Sequence, residues 1–126
     1  MPPIVRAAVI LMFAALAFYS AGVWQAFFSG QLRTSHVACY WLGLLCDVTG
    51  TELMRRLAGG LHWNLHTATG VAALALMLIH ALWATRVLRK GQQPALRAFP
   101  RISITVWVVW LIPFISGLIL GSRRAL

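Results

Sequence analysis

Residues 7–29 read "AAVILMFAALAFYSAGVWQAFFS" and contain no charged side chain. A membrane-spanning helix needs about 20 mostly apolar residues, and this run supplies them. The apolar part of a secretory signal is only about 7–15 residues long, so the run reads as a retained helix rather than a cleaved leader. Three more apolar runs follow. Residues 36–54 are apolar but for His36, Asp47 and Glu52, residues 66–85 but for His66 and His80, and residues 102–121 are uncharged. With 60% hydrophobic and 10% charged residues, the chain does not have the composition of a soluble domain. The sequence therefore predicts an all-α membrane protein, a single domain of four transmembrane helices at about 7–29, 36–57, 66–88 and 102–121.

The segments between these runs are short. Gly59-Gly60 marks the middle turn, and Pro94 with Pro100 punctuates an 86–101 loop. Short links make sequential helices antiparallel neighbours, which predicts an up-down-up-down bundle. Pro113 falls inside the fourth run, where its missing N–H frees a carbonyl and predicts a kink. Trp24, Trp41, Trp63 and Trp83 lie near segment ends, where an aromatic belt would sit.

A formal charge of +9 does not call for nucleic acid. Basic residues flank membrane helices, and the chain has only two acids, Asp47 and Glu52, to offset them. The partner implied is the lipid bilayer. Arg6, Arg55, Arg56, Arg123 and Arg124 fall on one side, and Arg33, Arg86, Arg89, Lys90, Arg97 and Arg101 on the other. Five against six gives the positive-inside rule little to act on. The dense run "RVLRKGQQPALRAFPR" tips the balance toward a cytoplasmic 86–101 loop. Cys39 and Cys46 are seven residues apart on one helix. They are about 10 Å apart along its axis, too far for a disulfide, and read as packing residues.

Both acids lie in "CDVTGTELM", residues 46–54, and they read differently. Glu52 precedes Arg55 and Arg56 by three and four residues, the spacing of a local ion pair at a helix end. Asp47 is in mid-helix, where a central aspartate costs roughly 2.5–3.5 kcal/mol on insertion scales. It shares a face with His36, Tyr40, Gly43, Gly50 and Met54, spaced by threes and fours. Its partner must come from another helix. On the third run His66, Gly70, Ala73, Met77, His80 and Ala84 form a similar face. With a turn near residue 60, the two faces predict a polar column of His36, Tyr40, His80, Asp47, Thr51, Met54 and His66, centred on an Asp47–His80 hydrogen bond. Thr105 and Ser116 are candidates to join it from the fourth helix. His62, in the Gly-rich turn, reads as a surface residue.

Three functions fit such a column. His66 and His80 are fourteen residues apart, a rise of about 20 Å that suits histidines holding haem across a membrane. A b-type haem held by His36 and His80, or by His66 and Met54, would place the protein in electron transport. However, position 50, fourteen residues after His36, is Gly. Imidazole and carboxylate from His80, Asp47 and His36 also suit a metal ion, and with Tyr40 and Thr51 they suit a proton or ion relay. The third function is structural, an accessory subunit of a larger membrane complex whose polar core fixes helix register. No Ser–His–Asp set, phosphate-cradling loop or catalytic thiol points to an enzyme.

"FYSAGVW" (18–24), "WLGLLCDVTGTELM" (41–54), "HTATGVAALALMLIHALWAT" (66–85) and "VWVVWLIPFISGLILG" (106–121) together resemble the HsmA family of small bacterial membrane proteins. The "DVTGT" segment and the paired H-x-x-T-G and M-x-x-H-A-x-W-A-T motifs carry the resemblance most specifically. It implies a four-helix protein of a bacterial inner membrane, and it brings no activity and no functional residue with it.

Overall fold

A computed structural model describes the backbone at residues 2–57, 59–60 and 65–125, and the side chains at 2–57, 59–60 and 67–120. Four helices account for nearly all of it: α1 (Pro3–Ser29), α2 (Thr34–Leu57), α3 (Leu65–Lys90) and α4 (Gln93–Ala125). Three of them, α1, α3 and α4, are long and apolar enough to cross a membrane. The exception is α2, which carries His36, Asp47, Glu52, Arg55 and Arg56.

Several helix ends have a local cause. α1 begins with Pro3 at a position where a missing N–H costs nothing. It ends at Gly30 (φ 81°), whose N–H returns to the Ala26 and Phe27 carbonyls. At the start of α2 the Arg33 N–H donates to His36 Nδ1 over 3.0 Å, the back-bond of a capping box made with an imidazole. Gly91 (φ 65°) ends α3 in the same way that Gly30 ends α1, with its N–H on the Val87 carbonyl.

Neighbouring helices run antiparallel, as their contacts show. Gly22 meets Tyr40, Gly43 meets Tyr19, and Gly50 meets Met12, so α2 descends as α1 climbs. Trp24 packs on Trp107, Tyr19 on Trp110 and Phe13 on Phe114, which sets α1 against α4 in the same sense. Trp83 packs on Phe99 between α3 and α4, and Tyr40 on His80 between α2 and α3. Each helix thus touches two others around one buried core, with α1 and α2 the most closely packed pair. The outer faces are apolar: Ile10, Leu45, Ile79 and Ile112 are all at least 61% exposed.

The fourth helix departs from expectation. It begins at Gln93, not at 102, and the 86–101 loop shrinks to Gly91 and Gln92. Pro94 sits in the first turn, where proline is tolerated. Pro100 lies inside the helix instead of breaking it. It deprives the Leu96 carbonyl of its helical donor, and the Leu32 N–H, from the turn between α1 and α2, takes that carbonyl at 2.9 Å. A carbonyl that proline frees thus becomes a tie between α4 and the turn that joins α1 to α2. α4 likewise runs on through Pro113.

Candidate functional site

Four polar or charged residues are buried among the described residues: His36, Asp47, His80 and Ser103. They fall into two inter-helical clusters and a helix cap.

The first cluster surrounds Asp47. Its Oδ2 accepts the Tyr19 hydroxyl of α1 at 3.1 Å and the Trp110 indole N–H of α4 at 3.0 Å. Thr51, one turn further along α2, lies close to the same carboxyl. The donors are themselves fixed, because the Tyr19 and Trp110 rings meet edge-on with centroids 4.9 Å apart. The Tyr19 ring lies so close against Gly43 that a Cβ there would stand 2.5 Å from its Cδ1. Glycine at 43 is what lets the ring pass beneath α2 to reach Asp47. A carboxyl group out of water requires such donors, since an unmet acceptor in an apolar medium is costly.

The second cluster lies nearer the ends of α1 and α3. His80 Nε2 and Ser103 Oγ are 2.8 Å apart, joining α3 to α4. The Tyr40 hydroxyl of α2 stands 3.4 Å from Ser103 Oγ and 3.5 Å from the Gly22 carbonyl, both long for an O–H donor. The firm bond is the His80–Ser103 one. Either side can supply the proton of that bond, and the tautomer then decides whether the ring's other nitrogen, Nδ1, is a donor or an acceptor. That Nδ1 is buried and has no hydrogen-bond partner among the described residues. Tyr40 and Phe99 close on the imidazole, with centroids at 4.5 and 5.2 Å.

The expected Asp47–His80 hydrogen bond is therefore corrected. Asp47 finds its partners on α1 and α4, and His80 finds its own on α4. Face periodicity placed both residues inward, but it says nothing about which neighbour each one meets. His36 is buried too, but its Nδ1 is occupied in capping α2. Met54 is 41% exposed and stands outside the core. Thr105 is exposed, and the Ser116 hydroxyl turns back to the Pro113 carbonyl. The side chain of His66, and the whole of His62 and Trp63, lie outside the described residues. Among the described residues, no three His, Cys, Asp or Glu side chains stand close enough together to hold a metal ion, so His36, Asp47 and His80 do not form one site.

Glu52 does fall where its spacing put it. Arg55 grips its carboxylate through two nitrogens at 2.9 and 2.7 Å, and Arg56 adds a contact at 3.2 Å. All three are partly or fully exposed at the end of α2. Cys39 and Cys46 are free and half-buried.

Tyr19, Ser103 and Trp110 were not among the sequence candidates, though a trace of them is legible. On α1, Ala8, Met12, Ala15, Tyr19, Gly22 and Ala26 are spaced by threes and fours, a small-residue stripe with one polar member. On α4, Phe99, Ser103 and Trp110 share the inward face with Leu96.

No protein-family description, curated protein or solved structure matches this chain.

Proposed function

We propose that this is a multi-pass protein of a bacterial inner membrane in which all four helices cross the bilayer in alternating directions. In it, the buried polar clusters act as structural fasteners of a non-catalytic accessory subunit of a larger membrane complex. The observation that carries this reading is the distribution of the donors. The Asp47 cluster draws on α1, α2 and α4, and the Ser103 cluster on α2, α3 and α4. Polar contacts of this kind average only about 0.6 kcal/mol in membranes, but they specify register and partner. The polar groups that lower the hydropathy of α2 are turned inward or held at its end, which leaves Leu42, Leu45 and Val48 on its outer face. α2 is thereby suited to be the fourth span.

A second reading keeps the redox role, with a b-type haem or metal ion held through His80. The buried Nδ1 without a partner favours it. The occupied Nε2 and the aromatic rings closed on the imidazole weigh against it. Oxidised and dithionite-reduced absorption spectra of the protein purified from haem-replete cells, with metal analysis of the same sample, separate the two. The structural reading expects a colourless, metal-free protein that runs in mild detergent with a stoichiometric partner. A Soret band that sharpens on reduction, or a stoichiometric metal, overturns it.

A further inference from the structure

At one end of the bundle, a groove of about 600 Å³ opens between the last turn of α1 and the first turns of α4. Its lining includes Phe27, Gly30, Pro94, Arg97, Arg101 and Ile102. Three observations together point to its occupant.

The first is charge. Arg97 and Arg101 stand one turn apart on α4, and both are exposed. Neither acidic side chain is available to them: Asp47 is enclosed in mid-bundle, and Glu52 is held by Arg55 and Arg56 at the opposite end of α2. Arg33, Arg86, Arg89 and Lys90 add to the positive charge at the same end. The neutralising anion must come from outside the chain.

The second is depth. Trp24, Trp107, Phe27 and Phe28 form an aromatic cluster where α1 meets α4, the kind of belt that marks the boundary of the hydrocarbon region. The Tyr19–Trp110 and Trp24–Trp107 contacts set the register between α1 and α4. By that register Arg101 is level with residues 28–30, at the outer edge of the belt, and Arg97 with residues 32–34, about one turn further out. Lipid phosphates lie at that height.

The third is chemistry. The groove joins apolar walls, Phe27 and Ile102, to two guanidinium groups, and a guanidinium binds phosphate through paired N–H donors. An amphiphile with an anionic head fits both halves, whereas a free anion leaves the apolar half unused.

We propose that this groove is a headgroup site for an anionic phospholipid. Arg97 and Arg101 take the phosphate, and Phe27 and Ile102 lie along the first part of an acyl chain. The site is independent of the role proposed for the buried clusters.

Native mass spectrometry of the full-length protein in detergent tests the site directly. Phosphatidylglycerol is titrated against phosphatidylcholine of the same acyl composition, and the comparison is repeated with excess inorganic phosphate. Wild type is expected to retain one phosphatidylglycerol in preference to phosphatidylcholine. R97Q/R101Q is expected to bind it about 30-fold more weakly, the effect of losing two interfacial arginine charges. R86Q/R89Q, at the same end but outside the groove, is expected to stay close to wild type. Equal losses in the two double variants would mean diffuse attraction to a basic surface and overturn the site. Displacement by inorganic phosphate alone would make it a free-anion site and overturn the lipid assignment. Should R97Q/R101Q fail to fold, a photoreactive phosphatidylglycerol added to wild type decides. Crosslinks at residues 27 and 97–102 support the site, and crosslinks elsewhere overturn it.

Discussion

Replacing Gly43 by alanine places a methyl group 2.5 Å from the Tyr19 ring, a distance at which something must move. The ring has little freedom to do so. It is 1% exposed, rests edge-on against Trp110 and is tied to Asp47 through its hydroxyl. Either α1 and α2 separate or the Tyr19–Asp47 bond breaks. Overpacking costs about 1–3 kcal/mol, and a lost polar contact in a membrane averages about 0.6 kcal/mol. Against these, alanine is about 1 kcal/mol better than glycine inside a helix. The net expectation is a destabilisation of roughly 0.5–2.5 kcal/mol, from the same values. Gly70, on α3, is the internal control, because a Cβ there would meet nothing within 4 Å among the described residues. Gly70→Ala is expected to be neutral or to stabilise by up to about 1 kcal/mol. SDS-driven unfolding in mixed micelles, followed by circular dichroism, reads both variants against wild type. If Gly43→Ala unfolds no earlier than Gly70→Ala, Tyr19 does not lie beneath Gly43, and the route by which α1 reaches Asp47 is refuted.

Other consequences are local. Ser103→Ala removes the one described hydrogen-bond partner of the His80 ring, that of Nε2, and a buried group that loses its bond costs about 1–3 kcal/mol. The same unfolding assay should show a loss in that range, and an unchanged midpoint would mean that His80 is satisfied elsewhere. Pro100→Ala restores a helical donor for the Leu96 carbonyl, which then competes with the Leu32 N–H. Amide exchange at Leu32 should become faster while exchange in mid-helix stays as in wild type. Unchanged protection at Leu32 would show that the turn between α1 and α2 does not depend on that carbonyl.

Much of this architecture is legible in the sequence, because long apolar runs and helical spacing are local signals. Three runs are long and apolar enough to cross a membrane, and the remaining one, α2, carries its polar residues at helical spacing, so four helices can be read off. Spacing by threes and fours then turned Tyr40, Gly43, Asp47 and Gly50 inward, and it set Glu52 beside Arg55 and Arg56. Two features were not legible, for different reasons. The partner of Asp47 depends on how helices are arranged around one another, and periodicity along a single helix carries no such information. Tyr19 and Trp110 could not be matched to it without that arrangement. The start of α4 was hidden by Pro100, which reads locally as a break. The Leu32 N–H that accommodates it comes from a turn far away in the chain, so the compensation is non-local. Tryptophans presented a related ambiguity: Trp107 and Trp110 use their N–H groups inside the bundle, on Ser20 and Asp47, whereas Trp41 donates to Thr85 in an exposed contact.

The measurement that most directly tests whether Asp47 fastens α1 and α4 to α2 is a double-mutant cycle of Tyr19→Phe and Trp110→Phe, read as unfolding free energies in mixed micelles. Each single change leaves the carboxyl one strong donor, and the double change removes both. Groups that share one partner couple by about 0.5–3 kcal/mol, so the double variant should lose more than the sum of the singles by at least the lower figure. Additive losses, or none, would contradict the account and leave Asp47 without its assigned role in holding the helices together.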